Sequence, residues 1–492
     1  MVLIEINHFF SHHCVLPALF RAFRDEGPCR FVAYVPLLAW DPDHPTLKFI
    51  QGFYESIGVE FPPVKADPST QHFEIAKQLA IDNLEKFQGS VWNLTDLHFD
   101  GFPLGVHLVE TLLQQFRAAE LEQNLSTTAY VIGLLSRYLW WKEYLAQNDV
   151  RAVVASHVCY EFALPQLAAM KLGIDSFAWH DNFFFRSAAF LPLPLGNENW
   201  MRSVESAWGE TKAQERLEYI SGAKDELSRR ALGERVGMLR YDPRFQREGG
   251  VADELPLIKR TGRPAVVVYC HAFSDSPCTL PKGEFGYLCS PIVSTRRLFD
   301  LLRDEPVDVF VKTHPQPFPQ DDKALNDMLL SYPSIKRLPS GLTPQDLKEL
   351  GVDVVVSGWG SVCYEASFIG LPVITYTSYS SLSGLGILAI CDLNDEGSFH
   401  KALVVSLSLG IKPESSDRIA EIYAISNYGG TLDLTCSKVE ELPREGGQGR
   451  YSPYAYKHWA KTLDIERFKR TVAALVGFLD SDEHVFSRFS VK

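Results

Sequence analysis

The chain of 492 residues is long enough for two domains, at roughly 100–200 residues per domain. Hydrophobic residues make up 46% of it and charged residues 22%, which is typical of a globular protein and excludes extensive disorder. The formal net charge of −13 excludes a protein whose main task is to coat nucleic acid, because such a protein needs an excess of lysine and arginine.

The first residues and the cysteines predict a cytoplasmic protein. Residues 1–6 have no basic segment, and Glu5 interrupts the apolar stretch that a signal peptide would need. The longest uncharged run, 366–391, contains a proline and three glycines, so we expect loops and a buried strand there, not a membrane span. The nine cysteines include no CxxC pair, which indicates reduced thiols and no structural metal site.

The first half of the chain predicts an α/β domain. Short apolar runs alternate with stretches in which apolar residues recur every three or four positions. These patterns predict strands at 2–6, 30–35, 150–156 and 175–179, and helices at 16–23, 71–148, 161–172 and 201–239. Residues 241–264 contain Gly249, Gly250 and three prolines, so we expect a linker there and place the domain boundary near residue 255.

The second half predicts a parallel sheet covered by helices. Its strands are expected at 265–270, 307–312, 335–338, 352–357 and 372–376, and its helices at 292–302, 323–330, 343–350 and 362–369. Continuous runs of valine and isoleucine are typical of strands that are buried on both faces. Sheets of this doubly wound kind bind ligands at the carboxyl ends of their strands. We therefore expect domains at 1–255 and 256–450, and a helical tail at 451–492 that packs back on the first domain.

The sharpest motif follows a predicted strand of the second half. Between this strand and the next helix lie Ser357, Gly358, Gly360 and Ser361, and Glu365 is one turn inside the helix. Two glycines let a ligand approach the backbone closely, and the free N–H groups of a helix start favour an anion such as a diphosphate. The Glu365 carboxylate suits ribose or sugar hydroxyls. A tight turn with a solvated glutamate is the alternative, but the strand–loop–helix context favours a ligand site.

A second motif places a cation and an imidazole at a strand end. Lys312 ends the strand at 307–312, His314 follows it, and Pro315 turns the backbone away. A lone histidine is usually structural, but a histidine close to a lysine favours binding of a phosphate or a sugar carboxylate. We therefore interpret Lys312 and His314 as ligand-binding residues.

Four further residues are candidates for acid–base chemistry. His271 and Asp275 follow the strand at 265–270, and His157 and Glu161 follow the strand at 150–156. Imidazoles and carboxylates at strand ends suit the activation of a hydroxyl group. The alternatives are an aspartate turn in the first case and a cap of the next helix in the second, and the sequence leaves both open.

Two other features of the first half have plainer interpretations. The apolar segments at 183–185 and 190–195 favour packing between domains, with a platform for the membrane surface or a lipid-linked acceptor as the alternative. Arg229, Arg230 and Arg235 are typical of a solvated helix face.

Together these motifs resemble those of GT-B glycosyltransferases. The resemblance rests on two Rossmann-like halves, on His314-Pro315 after a strand, and on residues 357–366 followed by Gly-Leu-Pro-Val-Ile at 370–374. Within that group the chain is most similar to bacterial enzymes of capsule and lipopolysaccharide synthesis, through residues 100–105, 156–160 and 270–275. The resemblance implies an interdomain cleft, with a nucleotide-sugar held by the second domain and an acceptor that enters from the first.

Carried over to this sequence, the resemblance implies donor contacts from His314, Ser357, Gly358, Gly360, Ser361 and Glu365, to which Lys312 is added from its position. The His-Pro pair is also similar to that of transferases that use CMP-activated acidic sugars, such as sialic acid and 3-deoxy-manno-octulosonic acid. The implied partners are the nucleotide-sugar as substrate, a glycan or lipid-linked glycan acceptor, and the inner face of the cytoplasmic membrane. We expect no other cofactor and no nucleic acid.

The sequence therefore predicts a metal-independent transferase that moves a sugar to a growing surface polysaccharide or lipopolysaccharide. The departing phosphate would be stabilised by Lys312, His314 and the helix start near Ser361. The base that activates the acceptor would be one of Asp275, His271, His157 and Glu161. Two alternatives remain: a sugar-nucleotide epimerase of the same fold, which needs no acceptor, and a non-catalytic module that binds a glycan or a partner enzyme.

Overall fold

The structure is a computed structural model, and it divides the chain into two compact units. Unit 1 comprises Met1–Gln115, Leu121–Thr211 and Asn427–Lys492, and unit 2 comprises Phe116–Glu120 and Lys212–Ser426. The residues that the structure describes are 1–6, 10–35, 45–84, 89–121, 124–156, 158–180, 183–187, 208–209, 211–234, 262–274, 291–314, 319–358, 360–376, 389–409, 415–427, 465–482 and 485–486.

Strands and helices alternate along most of the described chain. The strands are β1 (Val2–Glu5), β2 (Phe31–Val35), β3 (Val59–Lys65), β4 (Ala152–Ala155), β5 (Asp175–His180), β6 (Phe183–Arg186), β7 (Ala265–Tyr269), β8 (Asp308–Lys312), β9 (Lys336–Arg337), β10 (Val354–Ser357), β11 (Val373–Thr375), β12 (Ala389–Ile390) and β13 (Val485–Phe486). The α-helices are α1 (Phe10–Asp25), α2 (Pro45–Ser56), α3 (Thr70–Leu84), α4 (Leu104–Phe116), α5 (Leu125–Gln147), α6 (Ala163–Lys171), α7 (Ala213–Ala231), α8 (Pro291–Arg303), α9 (Pro319–Leu329), α10 (Pro344–Glu349), α11 (Ser361–Phe368), α12 (Glu396–Leu409), α13 (Ser415–Asn427) and α14 (Ile465–Leu479).

Both units use the same strand order. The sheet of unit 1 runs β3-β2-β1-β4-β5, all parallel, and continues through β6 and β13, which are antiparallel to their neighbours. The sheet of unit 2 runs β9-β8-β7-β10-β11-β12 and is parallel throughout. In each sheet the first strand of the unit is central and the fourth pairs on its other side, which is the Rossmann order. The predicted α/β class with two Rossmann-like domains is confirmed.

The core of unit 1 includes the C-terminal helix. Val472, Leu475 and Phe478 of α14 pack in one buried cluster with residues of α1 and β1. The expected return of the tail onto the N-terminal domain is thus confirmed. Among the described residues, no helix is long and apolar enough to cross a membrane.

The structure corrects the interpretation of the apolar segment at 183–185. These residues form β6, in which Phe184 is 0% and Phe185 3% exposed, and Phe184 stacks on Phe177 with ring centroids 5.1 Å apart. The Phe184 and Phe185 side chains are buried within unit 1, and Phe184 belongs to its core cluster, so neither interdomain packing nor a membrane platform applies to these two residues. The segment lacks the alternation of a half-buried strand, so the sequence pattern alone does not predict β6. Residues 190–195 lie outside the described residues.

The predicted domain boundary falls at a segment the structure does not describe. Residue 255 lies within the stretch 235–261, while the described residues divide between Thr211 and Lys212. Helix α7, which the sequence assigned to the first domain, belongs to unit 2. The predicted helical region 71–148 consists of α3, α4 and α5 with a 3-10 helix at Val91–Asp96.

Candidate functional site

The candidate site of unit 2 lies at the point where its chain crossovers change direction. From β7 the chain moves through β8 to β9 on one side, and it then returns to place β10 on the other side of β7. At such a point the loops that follow the two central strands diverge and leave a crevice at their carboxyl ends. The register aligns Ser357 with Tyr269 and Tyr269 with Lys312, so these three strand ends form one row.

A glycine turn connects β10 to α11. Gly360 precedes the helix with a φ of 120°, a conformation that strongly favours glycine, and as the N-cap residue it offers no side-chain cap. A Cβ atom at Gly358 would lie 2.7 Å from the ring of Tyr376, which is buried. A larger residue at 358 would therefore force the ring or the turn to move. The start of α11 faces the end of this turn, where a helix N-terminus favours an anion.

Lys312 supplies a buried positive charge in the same row. Its residue is 3% exposed, and its ammonium lies 5.0 Å from the ring centroid of Tyr269. Among the described residues, no carboxylate lies within ion-pair distance of it. Burial lowers the pKa of Lys312 to about 8, while the charge of Glu365 acts in the opposite direction. An uncompensated buried ammonium of this kind favours an anionic ligand.

A small pocket lies between the loop that follows β7 and the loop that follows β8. His271 and His314 contribute to its wall, with ring centroids 6.3 Å apart, as do Thr313 and Asp321. The Thr313 hydroxyl is buried and has no hydrogen-bond partner in the described part of the chain. Asp321 accepts hydrogen bonds from Phe273 N (3.0 Å) and from the Ser274 hydroxyl (2.8 Å). Asp321 therefore fixes the loop after β7 that carries His271.

Glu365 is engaged with a residue that the sequence analysis placed on a solvated surface. Arg230 Nε donates to Glu365 Oε1 at 3.0 Å, and the two side chains are only 15% and 12% exposed. The solvated-face interpretation is therefore wrong for Arg230. Sequence periodicity could not reveal this, because α7 is covered by α11 and α13 only in the folded unit.

The structure brings most of the predicted donor-binding residues together at the carboxyl ends of the unit 2 strands. Lys312 and Ser357 lie in the row of strand ends. His271, His314, Gly358 and Gly360 follow in the adjoining loops, and Ser361 is the first residue of α11. Asp275 and His157 lie outside the described residues, so their predicted roles stay predictions. Among the described residues no group of three or more His, Cys, Asp or Glu side chains is placed to hold a metal ion.

Glu161 belongs to unit 1 and has a structural partner. Its carboxylate pairs with Arg137 at 2.6 Å, and both side chains are buried. Burial raises the pKa of Glu161, and the charge of Arg137 opposes that rise. A carboxylate held by a buried arginine is a weaker candidate for the base than the sequence suggested.

Glu5 is a further candidate functional residue, and the sequence analysis did not identify it. It ends β1 at the crossover point of the unit 1 sheet, is fully buried, and accepts hydrogen bonds from Ser156 N (2.8 Å) and the Ser156 hydroxyl (2.5 Å). Burial raises the pKa of Glu5 to about 7, against the lowering effect of the Ser156 hydrogen bonds. The signal was its place inside a four-residue buried strand, where a glutamate is rare.

The motif at 100–105 is structural. Phe99 and Phe102 exchange backbone hydrogen bonds around a turn in which Asp100 and Gly101 have positive φ. A Cβ atom at Gly105 would lie 1.7 Å from the carbonyl oxygen of Leu94. This glycine lets α4 pack against the preceding 3-10 helix.

Comparison with known proteins gives likenesses of fold only. No protein-family model matches the sequence, and no curated protein matches it. Solved structures that are similar include a putative UDP-N-acetylglucosamine 2-epimerase from Listeria monocytogenes, with 11% identity over 98% of both chains and a TM-score of 0.27. KpsC, a beta Kdo 2,4 transferase from Thermosulfurimonas dismutans, has 15% identity over 49% of this chain and 73% of its own, with a TM-score of 0.31. A UDP-glucosyltransferase from Polygonum tinctorium has 13% identity over 93% and 98%, with a TM-score of 0.24. With identities and TM-scores this low, these likenesses assign no activity to this chain.

Proposed function

We propose that this protein is a glycosyltransferase that binds a nucleotide-sugar at the carboxyl edge of the unit 2 sheet and transfers the sugar to a growing bacterial surface glycan. The observation that carries the proposal is the burial of the Lys312 ammonium, which has no carboxylate partner among the described residues. Next to it, the buried Thr313 hydroxyl also lacks a partner in that part of the chain. Both groups suit the oxygens of a diphosphate or a phosphodiester.

In this proposal the phosphate is the leaving group. The acceptor hydroxyl attacks the anomeric carbon, the bond from that carbon to the phosphate oxygen breaks, and the hydroxyl proton passes to a base. The negative charge that develops on the phosphate is stabilised by the Lys312 ammonium, by the N–H groups at the start of α11, and by His314. The Oε1 atom of Glu365 is held by Arg230, so the other oxygen of its carboxylate is assigned to a ribose or sugar hydroxyl.

The acidic class of donor sugar is the finer part of the proposal. A CMP-activated acidic sugar carries a carboxylate in addition to its phosphate, and the pocket between the loops that follow β7 and β8 offers two imidazoles, His271 and His314, near each other. An imidazolium pair would bind such a carboxylate, and the neutral forms would bind it less well. Of the candidate bases, His271 lies in the described part of this unit.

Binding of nucleotides to the purified chain tests the proposal. Thermal unfolding is followed with CMP, UDP, GDP, TDP and ADP, with and without magnesium. A ligand at 100 times its dissociation constant stabilises the native state by about 2.7 kcal/mol, a shift that is readily measured. We expect one nucleotide to stabilise the protein and Lys312→Met to abolish that effect, while Lys336→Met, an exposed change in the same sheet, keeps it.

The reaction itself is then read with the matching nucleotide-sugar. Release of the nucleotide only when a glycan acceptor is present supports the transferase. An isomerised nucleotide-sugar formed without an acceptor would replace the transferase with an epimerase. No effect of any nucleotide on unfolding would contradict the proposal and leave a glycan-binding or partner-binding module.

A further inference from the structure

Arg230 lies at the end of α7 and is held on three sides. Besides the bond to Glu365, its Nη1 lies 3.5 Å from Glu226 Oε1. The Tyr423 hydroxyl of α13 donates to the same Glu226 oxygen at 2.8 Å. The Tyr423 ring packs edge-on against Tyr364 of α11, with centroids 5.4 Å apart. The guanidinium is therefore enclosed by α7, α11 and α13.

Within this enclosure the Arg230 guanidinium pairs with the carboxylates of Glu226 and Glu365. A buried arginine is tolerated when its charge is paired and its N–H groups are satisfied. Lys224 of α7 and Asp417 of α13 form a further ion pair of 2.7 Å, which ties the two helices together beside the buried pair. The geometry of Arg230 is thus set by unit 2 itself and needs no ligand.

Glu365 lies within the electrostatic reach of two buried cations. One is Arg230, to which it is hydrogen-bonded. The other is Lys312: its strand end lies in one row with Ser357, and α11, which carries Glu365, begins four residues after Ser357. The charge of Glu365 accordingly favours the charged form of Lys312. A carboxylate that moved to Lys312 would neutralise the charge that a phosphate needs. Such a movement would break the ion pair with Arg230 and leave that largely buried guanidinium without its Glu365 partner.

We propose that Arg230 is a positioning residue that holds the Glu365 carboxylate on α11 and thereby keeps the Lys312 ammonium available for the phosphates of the donor. This rests on the proposed function, and it adds a residue outside the sheet edge to the control of the donor site. Arg230 acts through Glu365 and has no contact of its own with the ligand.

The first test measures the pH at which the Lys312 amine titrates. Competitive labelling of lysines with acetic anhydride across pH, followed by mass spectrometry of the peptide that contains Lys312, gives the pH midpoint of that amine. In Arg230→Met we expect this midpoint to rise by about one pH unit, because the freed Glu365 carboxylate turns to the ammonium. Arg229→Met is the matched control, since Arg229 is on the same helix turn and pairs only with surface acids in the described residues.

The second test measures anion binding, with inorganic diphosphate as the probe. We expect Arg230→Met to weaken diphosphate binding by about tenfold, which corresponds to about 1.4 kcal/mol. The double variant Arg230→Met/Glu365→Gln should bind diphosphate as well as Glu365→Gln alone, because Arg230 acts only through the Glu365 charge. A purely structural role of Arg230 would lower stability without a change in the Lys312 midpoint.

The outcomes separate the two proposals. An unchanged Lys312 midpoint in folded Arg230→Met overturns the positioning role alone. If Arg230→Met does not fold, the double variant is compared with Glu365→Gln, and a different Lys312 midpoint or diphosphate affinity between those two overturns the role. A wild-type protein that binds neither nucleotide nor diphosphate overturns the proposed function, while a shifted midpoint would still establish the Arg230–Glu365–Lys312 coupling.

Discussion

Arg186 donates a hydrogen bond of 2.8 Å from Nη2 to the carbonyl oxygen of Leu479, at the end of the C-terminal helix α14. The same nitrogen lies within hydrogen-bond distance of the Phe478 and Ser481 carbonyls, and the guanidinium stacks near the ring of Phe478. A cation at this position satisfies carbonyls that a helix end leaves without partners and complements the helix dipole. One side chain of β6 thus fastens the tail to unit 1.

We expect Arg186→Ala to loosen the tail. The helix end loses its hydrogen-bond donor and the aromatic cluster loses its cation, which should lower the free energy of unfolding of unit 1 by about 2–4 kcal/mol. Hydrogen exchange in α14, compared with that in α8 of unit 2, measures the effect. Arg21→Ala is the control, because Arg21 is exposed and pairs only with Asp25 among the described residues. Equal protection of α14 in wild type and Arg186→Ala would contradict this role.

The carboxyl group of Glu5 should make unit 1 less stable at alkaline pH. Its pKa is raised to about 7 from an ordinary value of 4.5, so the native state binds the proton more tightly than the unfolded state. The stabilisation from the protonated form is complete below pH 4.5 and is lost as pH rises through 7. We expect Glu5→Gln to remove this loss, with a gain over wild type of up to about 3 kcal/mol at pH 8. Urea unfolding at pH 5 and pH 8 compares the free energy of unfolding of wild type and Glu5→Gln. A difference between the two proteins that does not change with pH would rule out this role of the Glu5 carboxyl group.

Lys312→Met should stabilise the protein and abolish nucleotide binding together. A lysine whose pKa is lowered to about 8 carries its charge at pH 7 at a cost that the unfolded state does not have. Methionine keeps the packing on Tyr269, so we expect a gain of about 2 kcal/mol at pH 7 that shrinks between pH 8 and 10.5. In the wild type, nucleotide affinity should fall as pH rises through 8. Calorimetric unfolding and binding titrations on the same samples test both statements, and a destabilised Lys312→Met would refute the first.

Gly358→Ala should damage the site more than the fold. The added Cβ atom would approach the Tyr376 ring to 2.7 Å, so the ring or the turn must move. We expect a loss of nucleotide binding of at least about tenfold, or about 1.4 kcal/mol. The control is Gly133→Ala in the middle of α5, where nothing lies within 4 Å of the new atom and the change should stabilise the helix by about 0.5–1 kcal/mol. Unchanged nucleotide affinity in Gly358→Ala would show that the turn does not hold the ligand.

Local patterns carried the sequence predictions that hold. The helix predicted at 343–350 is α10, and it begins with a capping box in which Thr343 and Asp346 make both hydrogen bonds. The valine-rich strands of unit 2 lie where the apolar runs predicted them. The sequence pattern does not predict β3, because it is an edge strand with two adjacent prolines and only one buried residue.

Long-range relationships could not be read from the sequence. The burial of Arg230 depends on α11 and α13, which lie far away in the chain, and the partner of Glu5 is Ser156, 151 residues later. Periodicity reports which face of an element is apolar, but it does not report which element covers a polar side chain. The sequence alone therefore does not show that Arg230 is largely buried or that Glu5 has a buried polar partner.

The assembly of unit 1 from two distant parts of the chain affects how the protein folds during synthesis. Its core takes Phe177 and Phe184 from the first half of the chain and Phe478 and Phe486 from the last residues. Residues 212–426 leave the ribosome before those last residues are made, so unit 2 can complete its sheet while unit 1 still lacks α14 and β13. Until then the face of β5 and β6 that Phe478 covers is open to water. The nascent chain should therefore present unit 1 to chaperones for longer than unit 2.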